Sequence, residues 1–100
     1  MTQTFILEKS SRPSKKYMIT TPSEKKIHFG ASGYSDFTIH KNDARKYNYI
    51  NRHSVSEDWT KKGINTAGFF SRWILWNKPS LEESIKDTER RFNIKIVSKV

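Results

Sequence analysis

Three histidines, His28, His40 and His53, have the widest chemical reach of any side chains here at neutral pH. A metal-dependent nuclease built from them would gather His40 and His53 with Asp36, Asp43 or Asn51. The spacing does not favour that site: there is no His-Glu-x-x-His and no Cys/His pairing. Asp36 and His40 would share a face only if residues 36–40 were helical. The ordinary role, a half-buried imidazole bonded to a neighbour, is the expectation, and the nuclease is the alternative. Glu82, Glu83, Asp87 and Glu89 form a run of carboxylates that serves better as cap and surface charge on one helix. No nucleophile elbow occurs. The glycines of Gly30-Ala31-Ser32-Gly33 are not followed by Gly-Lys-Ser/Thr, so they read as turn residues and not as a phosphate cradle. No catalytic residue, metal ligand or cofactor site is expected, and the chain is expected not to be an enzyme.

The cations point elsewhere. Nineteen Lys and Arg stand against ten Asp and Glu, a net charge of +9. With a pI near 9.9, this is the electrostatic footprint of a binder of nucleic acid or another anionic surface. The charges fall in clusters: Lys15-Lys16, Lys25-Lys26, Lys41 with Arg45-Lys46, Arg52, Lys61-Lys62 and Arg90-Arg91. If half of them shared a face, about six phosphates would be within reach and affinity would fall steeply with salt. Tyr17, Tyr34, Tyr47 and Tyr49 lie among them and offer rings on which unpaired bases stack. No helix-turn-helix, zinc-finger or RNP signature is present, so binding without sequence preference is expected. The candidate partner-binding residues are Lys25, Lys26, Arg45, Lys46, Arg52, Lys61 and Lys62. Arg72, Trp73 and Trp76 join them from the aromatic run Gly68–Asn77, because Trp and Arg dominate binding hot spots. That run first supplies a core: Phe69, Trp73 and Trp76 lie on one helical stripe.

These side chains need elements to hold them. Residues 1–15 read as an extended arm, with Thr4–Lys9 strand-like and a polar linker from Ser10 to Ser14. Residues 16–100 read as the domain. Lys16–Thr20 and Lys26–Phe29 flank a Thr-Pro-Ser-Glu turn and predict a hairpin, with Ile27 and Phe29 on one face. Asn42 caps a helix over Asp43–His53, and Ser56–Trp59 opens a short one closed by Gly63. Thr66 caps a helix over Ala67–Asn77, which Pro79 stops. Ser80 and Glu83 form a capping box for a helix that ends at Phe92, with Leu81, Ile85, Thr88 and Phe92 inward. Ile94–Val97 is a last strand. The sum is a single small α+β domain: an N-terminal β-hairpin, three or four short helices and a C-terminal strand.

One hundred residues with 34% hydrophobic and 13% aromatic content imply a modest core built on a few large rings. The absence of cysteine suits a reducing compartment and removes disulfides and thiolate metal sites. Residues 1–8 lack the basic and long apolar regions of a signal peptide. The run Trp73-Ile74-Leu75-Trp76 is far below the ~20 residues of a membrane span.

Two stretches carry a family resemblance, Lys26-Ile27-His28-Phe29-Gly30-Ala31-Ser32-Gly33-Tyr34-Ser35-Asp36-Phe37-Thr38-Ile39-His40-Lys41 and the segment from Glu57 through Trp73-Ile74-Leu75-Trp76-Asn77-Lys78-Pro79-Ser80 to Leu81. Together they resemble small basic proteins of unknown function encoded by nucleocytoplasmic large DNA viruses. The resemblance runs from about Tyr17 to Ile96, with Phe70 where that family commonly carries Trp, and leaves residues 1–15 outside. It implies a viral source and no activity. From it follows the expectation of a virion structural component, a minor capsid or core-associated protein. Its partners would be viral capsid or core proteins, and its location the virion and the host cytoplasm or viral factory. A non-specific DNA- or RNA-binding protein is the other expectation. The oligomeric state is left open.

Overall fold

Strand β1 (Thr4–Lys9) buries Phe5 and Leu7 and turns the residues between them to the other side, the period-two pattern of a half-buried strand. The computed structural model describes residues 2–100. β2 (Lys15–Thr20) and β3 (Lys26–Ala31) form the antiparallel hairpin, with Ile19 opposite Ile27 and Tyr17 opposite Phe29. β4 (Lys95–Ser98) lies parallel to β1, with Phe5 opposite Ile96, and the sheet order is β3-β2-β1-β4.

That order corrects the expected arm. Met1 lies outside the described residues, but residues 4–9 are an interior strand, paired on both edges. The polar linker is a turn that returns the chain into β2, closed by Lys15 N–H donating to the Arg12 carbonyl at 3.1 Å. The partner that fixes β1 on its other edge comes from the far end of the chain.

The helical segments lie over one face of the sheet. They are α1 (Phe37–His40), α2 (Asp43–His53), a 3₁₀ turn at Lys61–Gly63, α3 (Ala67–Phe70) running into a π-helical turn at Ser71–Leu75, and α4 (Leu81–Phe92). The result is a single compact α+β domain with a mixed four-stranded sheet. Among the described residues, no helix is long and apolar enough to cross a membrane. Phe5, Leu7, Ile19, Phe29 and Ile96 from the sheet meet Phe69, Phe70, Ile74 and Leu75 in the core. The opposite face carries Glu8, Lys26, His28, Lys95 and Val97 toward solvent.

Three caps behave as the sequence predicts. Asn42 Oδ1 accepts from Arg45 N–H, Thr66 Oγ1 from Phe69 N–H and Ser80 Oγ from Glu83 N–H. Asn93 leaves α4 in the left-handed region at φ 54°. Two expected helices change. Residues 56–63 form no α-helix: Asp58 Oδ1 accepts from both the amide and the hydroxyl of Thr60, closing a local turn that competes with a helix. Gly63 then passes against the Asp58 carbonyl, where a Cβ would collide. The helix expected over 67–77 is α-helical for one turn only. Trp76 N–H reaches back five residues to the Ser71 carbonyl at 3.1 Å, and Thr88 Oγ1 donates to the Trp73 carbonyl at 3.1 Å. Such π turns recur at functional sites.

Asp87 ties α4 to the segment after that π turn. Its buried carboxylate accepts from Asn77 Nδ2 at 2.8 Å, Arg90 at 3.0 Å and Arg91 at 3.3 Å. Burial pushes this carboxyl up, but the Asn77 amide and the Arg91 charge outweigh it and hold it below its ordinary value. A depressed folded-state value gives stability that is present above the unfolded-state pKa and lost as pH falls through the folded one. Asp87→Asn is therefore expected to cost about 2 kcal/mol at neutral pH, with the deficit against wild type shrinking below roughly pH 4. Urea midpoints of both proteins across that range measure it. A deficit that stays constant down to the acid end would remove Asp87 from the acid response.

Candidate functional site

A cleft of about 490 Å³ opens between α2, the loop after β3 and the π turn. That is within the size range of ligand clefts, roughly 300–1,000 Å³. α2 supplies one wall through Arg45, Asn48, Tyr49, Arg52 and His53, positions three, four and seven apart that share one helical face. The loop after β3 brings Tyr34, Ser35 and Asp36, and β2 sends in Lys16. Ser71, Leu75 and Trp76 form the floor, so the irregular π turn builds the part of the cleft that a regular helix would have placed differently.

Gly30 lets Lys16 and Leu75 come together. It adopts φ 78°, and a Cβ there would lie 2.7 Å from Leu75 Cδ1 and 3.3 Å from Lys16 Cβ. Lys16 Nζ donates to Asp36 Oδ2 at 2.5 Å. Asp36, itself buried, caps α1 by accepting from Thr38 N–H at 2.9 Å and from the Thr38 hydroxyl at 2.5 Å. Both of its oxygens are therefore occupied. The cleft thus holds three cations and one carboxylate, and Lys16 neutralises that carboxylate. The uncompensated charge belongs to Arg45 and Arg52, which are exposed and have no carboxylate within ion-pair distance among the described residues.

Rings line the remainder. Tyr49 stacks on Trp76 at 4.4 Å between centroids with planes 1° apart, and His53 lies 4.5 Å from Tyr49. Tyr49 O–H donates to Ser71 Oγ at 3.3 Å, and burial pushes its phenol up, so it stays protonated at neutral pH. Tyr34, 73% exposed, lines the same cleft as the two arginines and carries an unpartnered ring.

The structure separates the other expected partner-binding residues. Lys46 lies on another side of α2: its Nζ donates to the Asn77 carbonyl at 2.5 Å and sits 4.8 Å from the Phe37 centroid, and burial pushes its pKa down. It pins α2 to the segment after the π turn. Arg72 lies over Trp73 at 4.4 Å and Trp59 at 5.5 Å and donates to the Trp76 carbonyl at 2.7 Å, so it closes the π turn from within. Trp73 is 9% exposed, with its indole N–H donated to the Trp59 carbonyl. Trp76 is half buried under Tyr49 and borders the cleft. Lys25 and Lys26 are exposed at the β2–β3 turn, and Lys61 and Lys62 on the 3₁₀ turn, all away from the cleft lining. Only Arg45, Arg52 and Trp76 of the ten candidates meet there. Asn48 and His53 are legible as one face with the arginines; Lys16, Tyr34, Asp36 and Ser71 join through tertiary structure alone.

The imidazoles do not converge. His53 lies against Tyr49, while His40 lies 5.3 Å from Trp76, so each faces a different ring of the Tyr49–Trp76 stack. Among the described residues no three His, Asp or Glu side chains come together in a group able to hold a metal ion.

A family model described as a family of unknown function (DUF5754) matches residues 5–53. The match begins at Phe5 in β1 and ends at His53, the last residue of α2, so it takes in every cleft residue except Ser71, Leu75 and Trp76. No curated protein and no solved structure matches the chain.

Proposed function

We propose that this domain is a non-enzymatic binding module for single-stranded nucleic acid, with the α2 cleft as the seat of a phosphate backbone and Tyr34 as a platform for one base. The observation that carries it is the coincidence of Arg45 and Arg52, both without a carboxylate partner, with an exposed ring at one cleft. Of the nineteen Lys and Arg side chains, only Lys16, Lys86, Arg90 and Arg91 pair with carboxylates among the described residues; Lys46 and Arg72 are turned inward onto backbone carbonyls, and exposed cations such as Arg45 and Arg52 are left for counterions or a partner. A cationic groove with a stacking ring suits unpaired strands without sequence preference.

The role of a virion structural component docking on a protein neighbour through tryptophan anchors has less support, because Trp73 is buried and Trp76 is stacked under Tyr49. The viral resemblance supports a setting in which the nucleic acid is a viral genome or transcript.

Titration of a labelled oligothymidylate and a duplex of equal length at increasing salt tests the proposal. The single strand is expected to bind more tightly, with log affinity falling against log salt by about 0.7 per phosphate neutralised. No binding at low salt, or tighter binding of the duplex, overturns it.

A further inference from the structure

Exposed cations also lie outside the cleft, beside the β1–β2 turn and on β3. Lys15 and Lys16 are neighbours on β2, yet Lys16 turns into the cleft while Lys15 stays in solvent. On the helix-free face, Lys26 and His28 share one side of β3. The β1–β2 turn is tied to the same spot. Ser10 Oγ is hydrogen-bonded to His28 Nδ1 at 2.6 Å and accepts from Arg12 N–H at 3.0 Å, and Lys15 N–H closes on the Arg12 carbonyl. Arg12, Lys15 and Lys26 are all exposed, and none has a carboxylate within ion-pair distance among the described residues. Their fields converge on His28, whose pKa is lowered first by desolvation and then by Arg12, Lys26 and Lys15 in turn. Glu8 is the carboxylate on this face, opposite Met18, which in turn lies opposite His28.

We propose that a bound single strand leaves the cleft over β2, passes the β1–β2 turn and continues onto the open sheet face, where Arg12 and Lys15 beside the turn and Lys26 on β3 hold a second stretch of its phosphate backbone. This rests on the cleft reading above. Charge complementarity identifies the occupant: the two cationic groups are joined by adjacent residues of one strand, which suits a flexible polyanion passing from one to the other.

Oligothymidylates of about four and about twelve nucleotides, bracketing the lengths that small single-strand modules cover, separate the two claims. Binding is read by fluorescence anisotropy for wild type, a Lys15→Glu/Lys26→Glu variant and an Arg45→Glu/Arg52→Glu variant, with melting curves to show that all three fold. The Lys15/Lys26 variant is expected to lose about tenfold or more for the long strand and less than twofold for the short one. Equal losses for both lengths, or none for the long one, overturn the track while leaving the cleft in place. Undiminished binding of the short strand by the Arg45/Arg52 variant instead overturns the cleft reading, and the track with it.

Discussion

Reversal of both cleft arginines, Arg45→Glu with Arg52→Glu, is expected to lower single-strand affinity by about a hundredfold at low salt, roughly 1.4 kcal/mol for each phosphate no longer held. The effect is large because these two charges are not balanced within the fold. Asp36 already belongs to Lys16 and Thr38, and among the described residues no carboxylate lies within ion-pair distance of either guanidinium group. Both side chains are exposed on α2, so the change leaves the core untouched and the melting curve close to that of wild type. The gentler Arg→Gln pair should reduce the salt slope by about 1.4, 0.7 for each phosphate. Reversal of Lys61 and Lys62, equal in charge but outside the cleft, is the control. If it weakens binding as much as the arginine pair does, net charge governs association and the cleft has no special part in it.

The second large effect concerns stability. Phe70→Ala is expected to cost about 3–5 kcal/mol, a large share of the ~5–15 kcal/mol that holds a typical domain folded. Phe70 is wholly buried, and its ring meets Phe69 at 5.1 Å, Phe5 at 5.8 Å and Phe29 at 6.0 Å. It joins α3 to two strands at once, and removing it leaves a void that rigid rings around it cannot fill. For a domain of this size the thermal midpoint should fall by roughly 20 °C. Tyr47→Ala, at a position 65% exposed, should shift stability by less than about 0.5 kcal/mol. Comparable losses for the two variants would show that Phe70 does not organise the core.

Much of the architecture follows from local signals. The β2–β3 hairpin, α2 with its Asn42 cap, and α4 with its Ser80 capping box rest on period-two or helical patterning and on side chains that bond their own neighbours. These cues act within four residues, so they can be read without knowing the fold. Two of the elements that depart from expectation depend on distant partners. β1 resembles an arm in sequence because only its pairing with β4, some ninety residues away, makes it an interior strand. Helical spacing predicts a continuous helix over 67–77. The π turn that replaces it is closed at its end by Arg72 and held by Thr88 from α4, a partner that no local pattern encodes.

The same division runs through the site. Composition determined a cationic excess, and the spacing of Arg45, Asn48, Arg52 and His53 on one helix determined that several of these groups share a face. Tertiary structure decided which cations are available. Lys46 and Arg72, indistinguishable from Arg45 and Arg52 by residue type, are consumed in bonding backbone carbonyls, while Lys16 is matched to a buried aspartate twenty residues away. The physical reason is that charge belongs to the sequence, but its neutralisation depends on distance and burial, and the folded chain sets both.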